Sequence, residues 1–186
     1  QETLTPERWR CACGGAWEPF ERTDFDPQLI DTADTTLWRY RRLLGLDFEA
    51  PALTLGAGCT PLLPVVWSGR QVLCKPEYMA PTGSFKDRGT EVMLNILAHQ
   101  GVVRIAEDSS GNAGASVAAY AARLGMQAEI YAPAHASPFK QAQISVYGAA
   151  VCPIPGPRGN AKLAALRAVE RGFVFASHAY HPGFLL

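Results

Sequence analysis

Apolar and polar positions change their period several times along the chain, and each change marks an element. Leu37, Tyr40 and Leu44 fall on one stripe of a helix predicted over 29–46, with Gly45 near its end. Residues 51–64 are rich in Gly and Pro and read as a loop. Beyond them short apolar runs alternate with helical stretches. Strands are predicted over 71–75, 102–106, 127–132, 150–154 and 173–176, and helices over 84–99, 112–124, 137–147 and 160–171. Gly125, Gly148 and Gly172 directly follow three of those helices, where glycine takes the left-handed cap conformation at little cost. Residues 1–28 are punctuated by Pro and Gly and read as an irregular arm, and 29–186 as a single α/β region.

Strands separated by helices of this length imply parallel pairing through right-handed crossovers. The expected architecture is therefore an open parallel sheet with helices on both faces. In such sheets ligands bind at the carboxyl ends of the strands. Two polar segments follow predicted strands and should line one crevice: Pro81-Thr82-Gly83-Ser84-Phe85-Lys86-Asp87-Arg88-Gly89 and Ser109-Ser110-Gly111-Asn112-Ala113-Gly114.

The first segment puts Lys86 at a turn-to-helix junction. A cation there opposes the helix dipole, so the position is locally unfavourable, although a solvated surface lysine remains the plain alternative. The positive field, with desolvation, would lower the lysine's pKa and make it a nucleophile able to form an imine with a carbonyl cofactor. Ser84 is a candidate N-cap, and Phe85 could lie on a flat ring or simply belong to the core. The second segment opens a small-residue helix whose first N–H groups lack internal partners and could hold a carboxylate. It could equally be an N-cap cluster without a ligand. It is neither a dinucleotide fingerprint nor a P-loop. Together the two segments suggest a pyridoxal-phosphate enzyme acting on an amino acid.

Composition narrows the classes further. The chain is 48% hydrophobic and 18% charged, with 17 basic and 17 acidic residues and no net charge. Nothing in that balance draws it to nucleic acid or an anionic membrane. No apolar run is long enough to span a bilayer, and the first residues lack a signal-peptide pattern. Five scattered cysteines do not form a disulfide framework, so a cytoplasmic protein is expected.

The two segments resemble the fold type II pyridoxal-phosphate enzymes, the tryptophan synthase β-subunit superfamily, and within it the threonine synthases. The first matches the cofactor-lysine segment. The run Glu107-Asp108-Ser109-Ser110-Gly111-Asn112-Ala113-Gly114-Ala115-Ser116 matches the loop after it. Weaker matches follow at Lys140-Gln141-Ala142-Gln143 with Tyr147-Gly148-Ala149, and at Tyr180-His181-Pro182-Gly183-Phe184.

The resemblance implies that Lys86 carries the cofactor covalently and later moves protons. Asn112 would bond the cofactor's ring hydroxyl and Phe85 would lie against its ring. Ser109, Ser110, Gly111 and Ala113 would bind the substrate carboxylate. The implied reaction converts O-phosphohomoserine to threonine and phosphate. A serine or threonine dehydratase, or another ammonia-lyase on the same fold, is the alternative, and a non-catalytic fragment or pseudoenzyme is the rival from outside enzymes. A homodimer is left open. The family's glycine-rich loop for the cofactor phosphate normally lies beyond position 186, so an N-terminal portion of such an enzyme is expected.

The rest of the chain shapes these expectations. Many relatives carry an N-terminal zinc ribbon, of which Cys11-Ala12-Cys13-Gly14-Gly15 looks like half. Two cysteines cannot close a tetrahedral site, and no metal is expected. The stretch from Tyr180 to Leu185 holds no arginine, the side chain best suited to a substrate phosphate, and this shifts weight toward a different amino acid. His99, His135, His178 and His181 show no metal spacing and read as loop or surface residues. Asp87 and Arg88 are expected to pair locally, and Cys74 and Cys152 to be buried thiols.

Overall fold

A computed structural model of the chain describes residues 10–15, 24–46 and 53–185. Its first regular pair is an antiparallel hairpin of β1 (Leu63–Trp67) and β2 (Arg70–Cys74). Next come α1 (Lys86–His99), β3 (Arg104–Glu107), α2 (Asn112–Leu124), β4 (Gln127–Pro133), α3 (Pro138–Val146), β5 (Ala150–Ile154), α4 (Arg158–Val169), β6 (Val174–Phe175) and α5 (Pro182–Leu185). Strands β5, β4, β3 and β6 form, in that order, a four-stranded sheet paired parallel throughout.

The pleat divides the core in two. On one face Ile105 of β3 and Ala128 and Ile130 of β4 meet Met93, Leu94 and Leu97 of α1, Val117 and Tyr120 of α2 and Ile144 of α3. The neighbouring strand residues Ala106 and Tyr131 point the other way, as strand alternation requires, and pack with Phe173, Phe175 and the buried alanines 161, 165 and 168 of α4. Helices thus cover both faces, as the alternating pattern predicts. Each large aliphatic side chain buried completely contributes about 1.5–3 kcal/mol. The small side chains of α2 let it lie close to both α1 and the sheet, and this sets where its N-terminus stands.

Four expectations need correction. Residues 29–46 do not form a helix: two short 3-10 turns, Pro27–Leu29 and Leu37–Tyr40, stand there instead. Short polar side chains divert the backbone. Asp31 accepts from the N–H of Ala33 at 3.0 Å, Asp34 from Thr36 at 2.7 Å, and Thr36 from Trp38 at 3.2 Å. Such local bonds compete with helical ones. Secondly, the predicted loop over 51–64 ends in a strand, β1. Its turn, Ser68-Gly69, has φ of 48° and 75°, the paired positive values that favour a tight hairpin. Thirdly, β2 pairs with β1 and stays out of the parallel sheet, so Lys86 does not follow a strand of that sheet. Fourthly, Cys74 lies on this hairpin and is exposed, while Cys152 is half-buried.

The arm read over 1–28 lies largely outside the described residues. Of its cysteine pair, Cys11 anchors a turn in which its N–H donates to Gly15 O at 3.1 Å and its carbonyl accepts from Gly14 at 2.9 Å. No helix among the described residues is long and apolar enough to cross a membrane.

Candidate active site

Lys86 is the first residue of α1 and is half-buried. The turn before it is held by Asp87, which is fully buried and accepts three hydrogen bonds. Thr82 donates from its N–H at 2.7 Å and its hydroxyl at 2.5 Å, and Ser116 from its hydroxyl at 2.6 Å. Because Ser116 belongs to the start of α2, one carboxylate ties the N-terminal ends of α1 and α2 together. A third helix joins them: Gln143 of α3 donates to Thr82 O at 3.2 Å and to the Tyr147 hydroxyl at 3.4 Å. Asp87 therefore does not pair with Arg88, whose guanidinium engages Glu77 at 2.8 Å.

The Nζ of Lys86 lies 4.9 Å from the centre of the Phe85 ring and 5.2 Å from that of Phe184. Phe85 is about half exposed, at 53%, so its ring is not a core element. Phe184 comes from α5, which packs on α1. A Cβ at Gly89 would be driven into the backbone and ring of Phe184, so only glycine allows that approach. An apolar hollow of about 500 Å³ opens alongside, walled by Leu37, Tyr40, Phe85, Val92 and Phe184.

The segment 109–113 lies at the start of α2, just after the carboxyl end of β3. Ser109 and Ala113 are buried, Ser110 and Gly111 half-buried, and Asn112 exposed. Gly111 is the N-cap and no side chain caps the helix, so its first N–H groups face outward without an internal partner. Ser109 Oγ accepts only a long bond, 3.4 Å, from the Gly111 N–H. A Cβ at Gly111 would meet nothing, leaving room for an anion, whereas one at Gly114 would collide with the Ser109 carbonyl oxygen. The uncapped helix start and this open space suit a carboxylate, and the half-exposed Phe85 beside Lys86 suits a flat ring. These residues fit the amino-acid and pyridine portions of a pyridoxal-phosphate site.

Sequence reasoning missed a second group at the same sheet edge. Glu107, the last residue of β3, is fully buried, and its Oε1 lies 2.5 Å from His178 Nδ1. Burial pushes the Glu107 carboxyl up to about 7, against the lowering pull of the imidazole. Asp108 is raised as well, chiefly by burial, and its side chain feels His178, Lys162 and Arg158. His178 and His181 lie outside the helices and strands, as expected of loop residues, but neither is a surface residue: His178 is half-buried, and His181 is buried and held neutral, its pKa pushed down by burial to about 4. Glu107, Asp108 and His178 bring potential ligand atoms within 4.8 Å of one another. The Glu107–His178 contact is a hydrogen bond, shorter than two ligands of one ion would stand. A carboxylate ending an apolar strand was the signal that could have found this pair.

A doubly covered parallel sheet, with a lysine and an uncapped helix start tied together beside the carboxyl ends of its strands, is an α/β core of the kind that places sites at those strand ends. The comparisons narrow this class. Residues 53–186 match the family model described as "Pyridoxal-phosphate dependent enzyme". The chain is 39% identical over 126 residues to the threonine synthase of Halalkalibacterium halodurans, covering 64% of this chain and 35% of that protein. It is 32% identical over 159 residues to the threonine synthase of Methanocaldococcus jannaschii, covering 80% and 39%. Among solved structures it resembles a pyridoxal 5'-phosphate-dependent aspartate racemase, with a TM-score of 0.60 at 28% identity, covering 68% of this chain and 42% of that one. It also resembles O-ureido-L-serine synthase, at 0.59 and 27%, covering 63% and 40%. The chain belongs to the pyridoxal-phosphate-dependent enzyme family. It spans little more than a third of the length of the curated relatives it matches.

Proposed function

We propose that the chain carries the lysine and substrate-carboxylate half of a pyridoxal-phosphate-dependent lyase acting on an amino acid, with the threonine synthase reaction as its type. The observation that carries this reading is the Asp87 tether, which sets Lys86 and the 109–113 segment at adjoining helix starts. Lys86 is assigned as the residue that bears the cofactor and moves a proton at the substrate carbon. Phe85 lies against the cofactor ring, and Asn112 bonds the ring hydroxyl. Ser109, Ser110, Gly111 and Ala113 hold the substrate carboxylate with hydroxyl and N–H groups. When bound, the cofactor supplies the electron sink that makes the substrate's C–H bonds acidic. The protein residues orient the amino acid and keep the proton-transfer group within reach.

A dehydratase or another ammonia-lyase is the second reading. It is favoured by one observation: of the segment 180–185, Phe184 rather than a basic side chain stands beside Lys86. Phosphate release from O-phosphohomoserine, measured against ammonia release from serine or threonine, separates the two.

Borohydride reduction with pyridoxal phosphate, followed by peptide mass mapping, tests the central assignment. A phosphopyridoxyl adduct confined to Lys86 and lost in Lys86→Ala is the expected outcome. Labelling spread over surface lysines would favour the non-catalytic fragment.

A further inference from the structure

The Glu107–His178 pair has no role in the assignment above, yet it stands at the same sheet edge. Glu107 ends β3 directly before the substrate segment. His178 follows β6, which pairs parallel with β3, and the Ala176 N–H continues that pairing onto Ala106 O at 2.9 Å. Glu107 is completely buried, and its second oxygen, Oε2, has no hydrogen-bond partner. A buried carboxylate with one oxygen unpaired is costly to keep for packing alone. What it does hold is the imidazole, whose Nδ1 lies 2.5 Å from Oε1. A carboxylate on Nδ1 fixes the ring's tautomer and orientation, leaving Nε2 as the atom that exchanges a proton elsewhere. The His178 side chain keeps 17% of its surface exposed, so the ring is not sealed off. Its ring meets that of Phe184 edge-on at 5.8 Å, and Phe184 is the ring beside Lys86 Nζ. The Phe184 ring thus touches both the imidazole and the lysine.

We infer that His178 is a further catalytic residue of this site, delivering a proton from Nε2 to the oxygen leaving group on the substrate's side chain, with Glu107 as its positioning residue. This rests on the proposed lyase reading and specifies its substrate class: amino acids whose side chain loses an oxygen-linked group, as hydroxyl or phosphate. In the step, a substrate C–H bond breaks and its proton passes to Lys86. The electron pair forms the new carbon–carbon double bond. The C–O bond breaks with its own pair left on oxygen, and that oxygen takes the Nε2 proton. Imidazolium becomes imidazole; Lys86 then releases the proton it took to water, from which the imidazole recovers one, so the cycle closes. Around the ring, Glu107 is the acid in direct contact and Asp108 stands beside it at the end of β3, its carboxyl feeling Lys162 and Arg158 of α4, while Lys86 lies on the Phe184 ring.

The test uses the cofactor-loaded protein and two variants, His178→Gln and Glu107→Gln. With an oxygen leaving group (L-serine, L-threonine or O-phosphohomoserine, whichever the wild type turns over), His178→Gln should lower kcat by about 10²–10⁴-fold, with KM little changed. With β-chloro-L-alanine, whose chloride leaves without a proton, the same variant should recover nearly wild-type turnover. Independently of turnover, ¹⁵N-histidine NMR should show His178 protonated on Nδ1 in the wild type. That Nδ1 resonance should shift in Glu107→Gln, where its acceptor is changed. Equal losses with chloride and oxygen leaving groups, or a His178 signal unmoved by Glu107→Gln, would overturn the inference while leaving Lys86 intact. A wild type with no selective Lys86 adduct would sink the proposed function, and this step with it.

Discussion

Asp87 shows how one buried side chain can place a site without taking part in its chemistry. It accepts from two groups of Thr82 and one of Ser116, and so fixes the turn before Lys86 onto the start of α2. Replacing it with alanine leaves three donors without their acceptor in a buried setting, each costing on the order of 1 kcal/mol or more. Asp87→Ala should therefore destabilise the fold by about 3 kcal/mol in urea unfolding, with Asp87→Asn losing less because one oxygen remains. Equal stability of the alanine variant and the wild type would remove the tether from the account. The motif shows an acid beside the lysine, but neither of its partners: Thr82 is local, and Ser116 lies 29 positions away. Gln143 lies in a segment that only weakly resembles the family, and its bond to the Thr82 carbonyl depends on where α3 packs. Long-range polar bonds have no periodicity, so pattern reading does not find them.

At the scale of elements, the helices and strands from α1 to β6 were legible because their apolar periods are regular and glycines end several of them. Gly125 caps α2 with φ of 69°, as the sequence suggests. The region before α1 was not legible. Its apolar residues mimic a helical stripe over 29–46, while Asp31, Asp34 and Thr36 divert the backbone. The hairpin was half-seen because Pro64 reads as a loop residue, although an edge strand tolerates it. Both its strands are exposed along their whole length, with Val66, Trp67 and Leu73 more than 60% accessible. A two-stranded ribbon without a covered face is marginal in water. Its amides, residues 63–74, should exchange with solvent far faster than those of β3 and β4, and hydrogen-exchange mass spectrometry reads the difference directly. Comparable protection in both would mean that the ribbon is covered in solution. Gly114 carries the complementary prediction. Gly114→Ala drives a methyl group into the Ser109 carbonyl, so it should cost about 1–3 kcal/mol and displace the 109–113 segment. Substrate binding should weaken even though Gly114 itself touches no ligand. Unaltered binding would show that the helix start can shift without the segment.

For the molecule as a whole, two buried groups make stability depend on pH in opposite directions. His181 is neutral when folded, and its Nδ1 accepts the Gly183 N–H at 3.1 Å. Its pKa falls from 6.5 to about 4 through burial, so between those values the unfolded chain binds the extra proton. Its share of stability is complete above pH 6.5 and is lost as pH falls toward 4, on the order of 3 kcal/mol over the window. Glu107 runs the other way. Its pKa rises from 4.5 to about 7, so the folded chain holds the extra proton, and stability is greatest below pH 4.5 and declines as pH rises through 7. The wild type should consequently show a shallow stability profile between pH 4.5 and 6.5, where the two slopes oppose. His181→Asn keeps an acceptor for Gly183 but does not titrate. Its stability should fall steadily as pH rises across the same window, because the opposing His181 slope is gone while the raised carboxyls of Glu107 and Asp108 still titrate. Urea unfolding of both proteins at half-unit steps from pH 4 to 8 gives the comparison. Parallel profiles would mean that His181 is solvated in the native state and that the short C-terminal helix it supports is not packed down on α1.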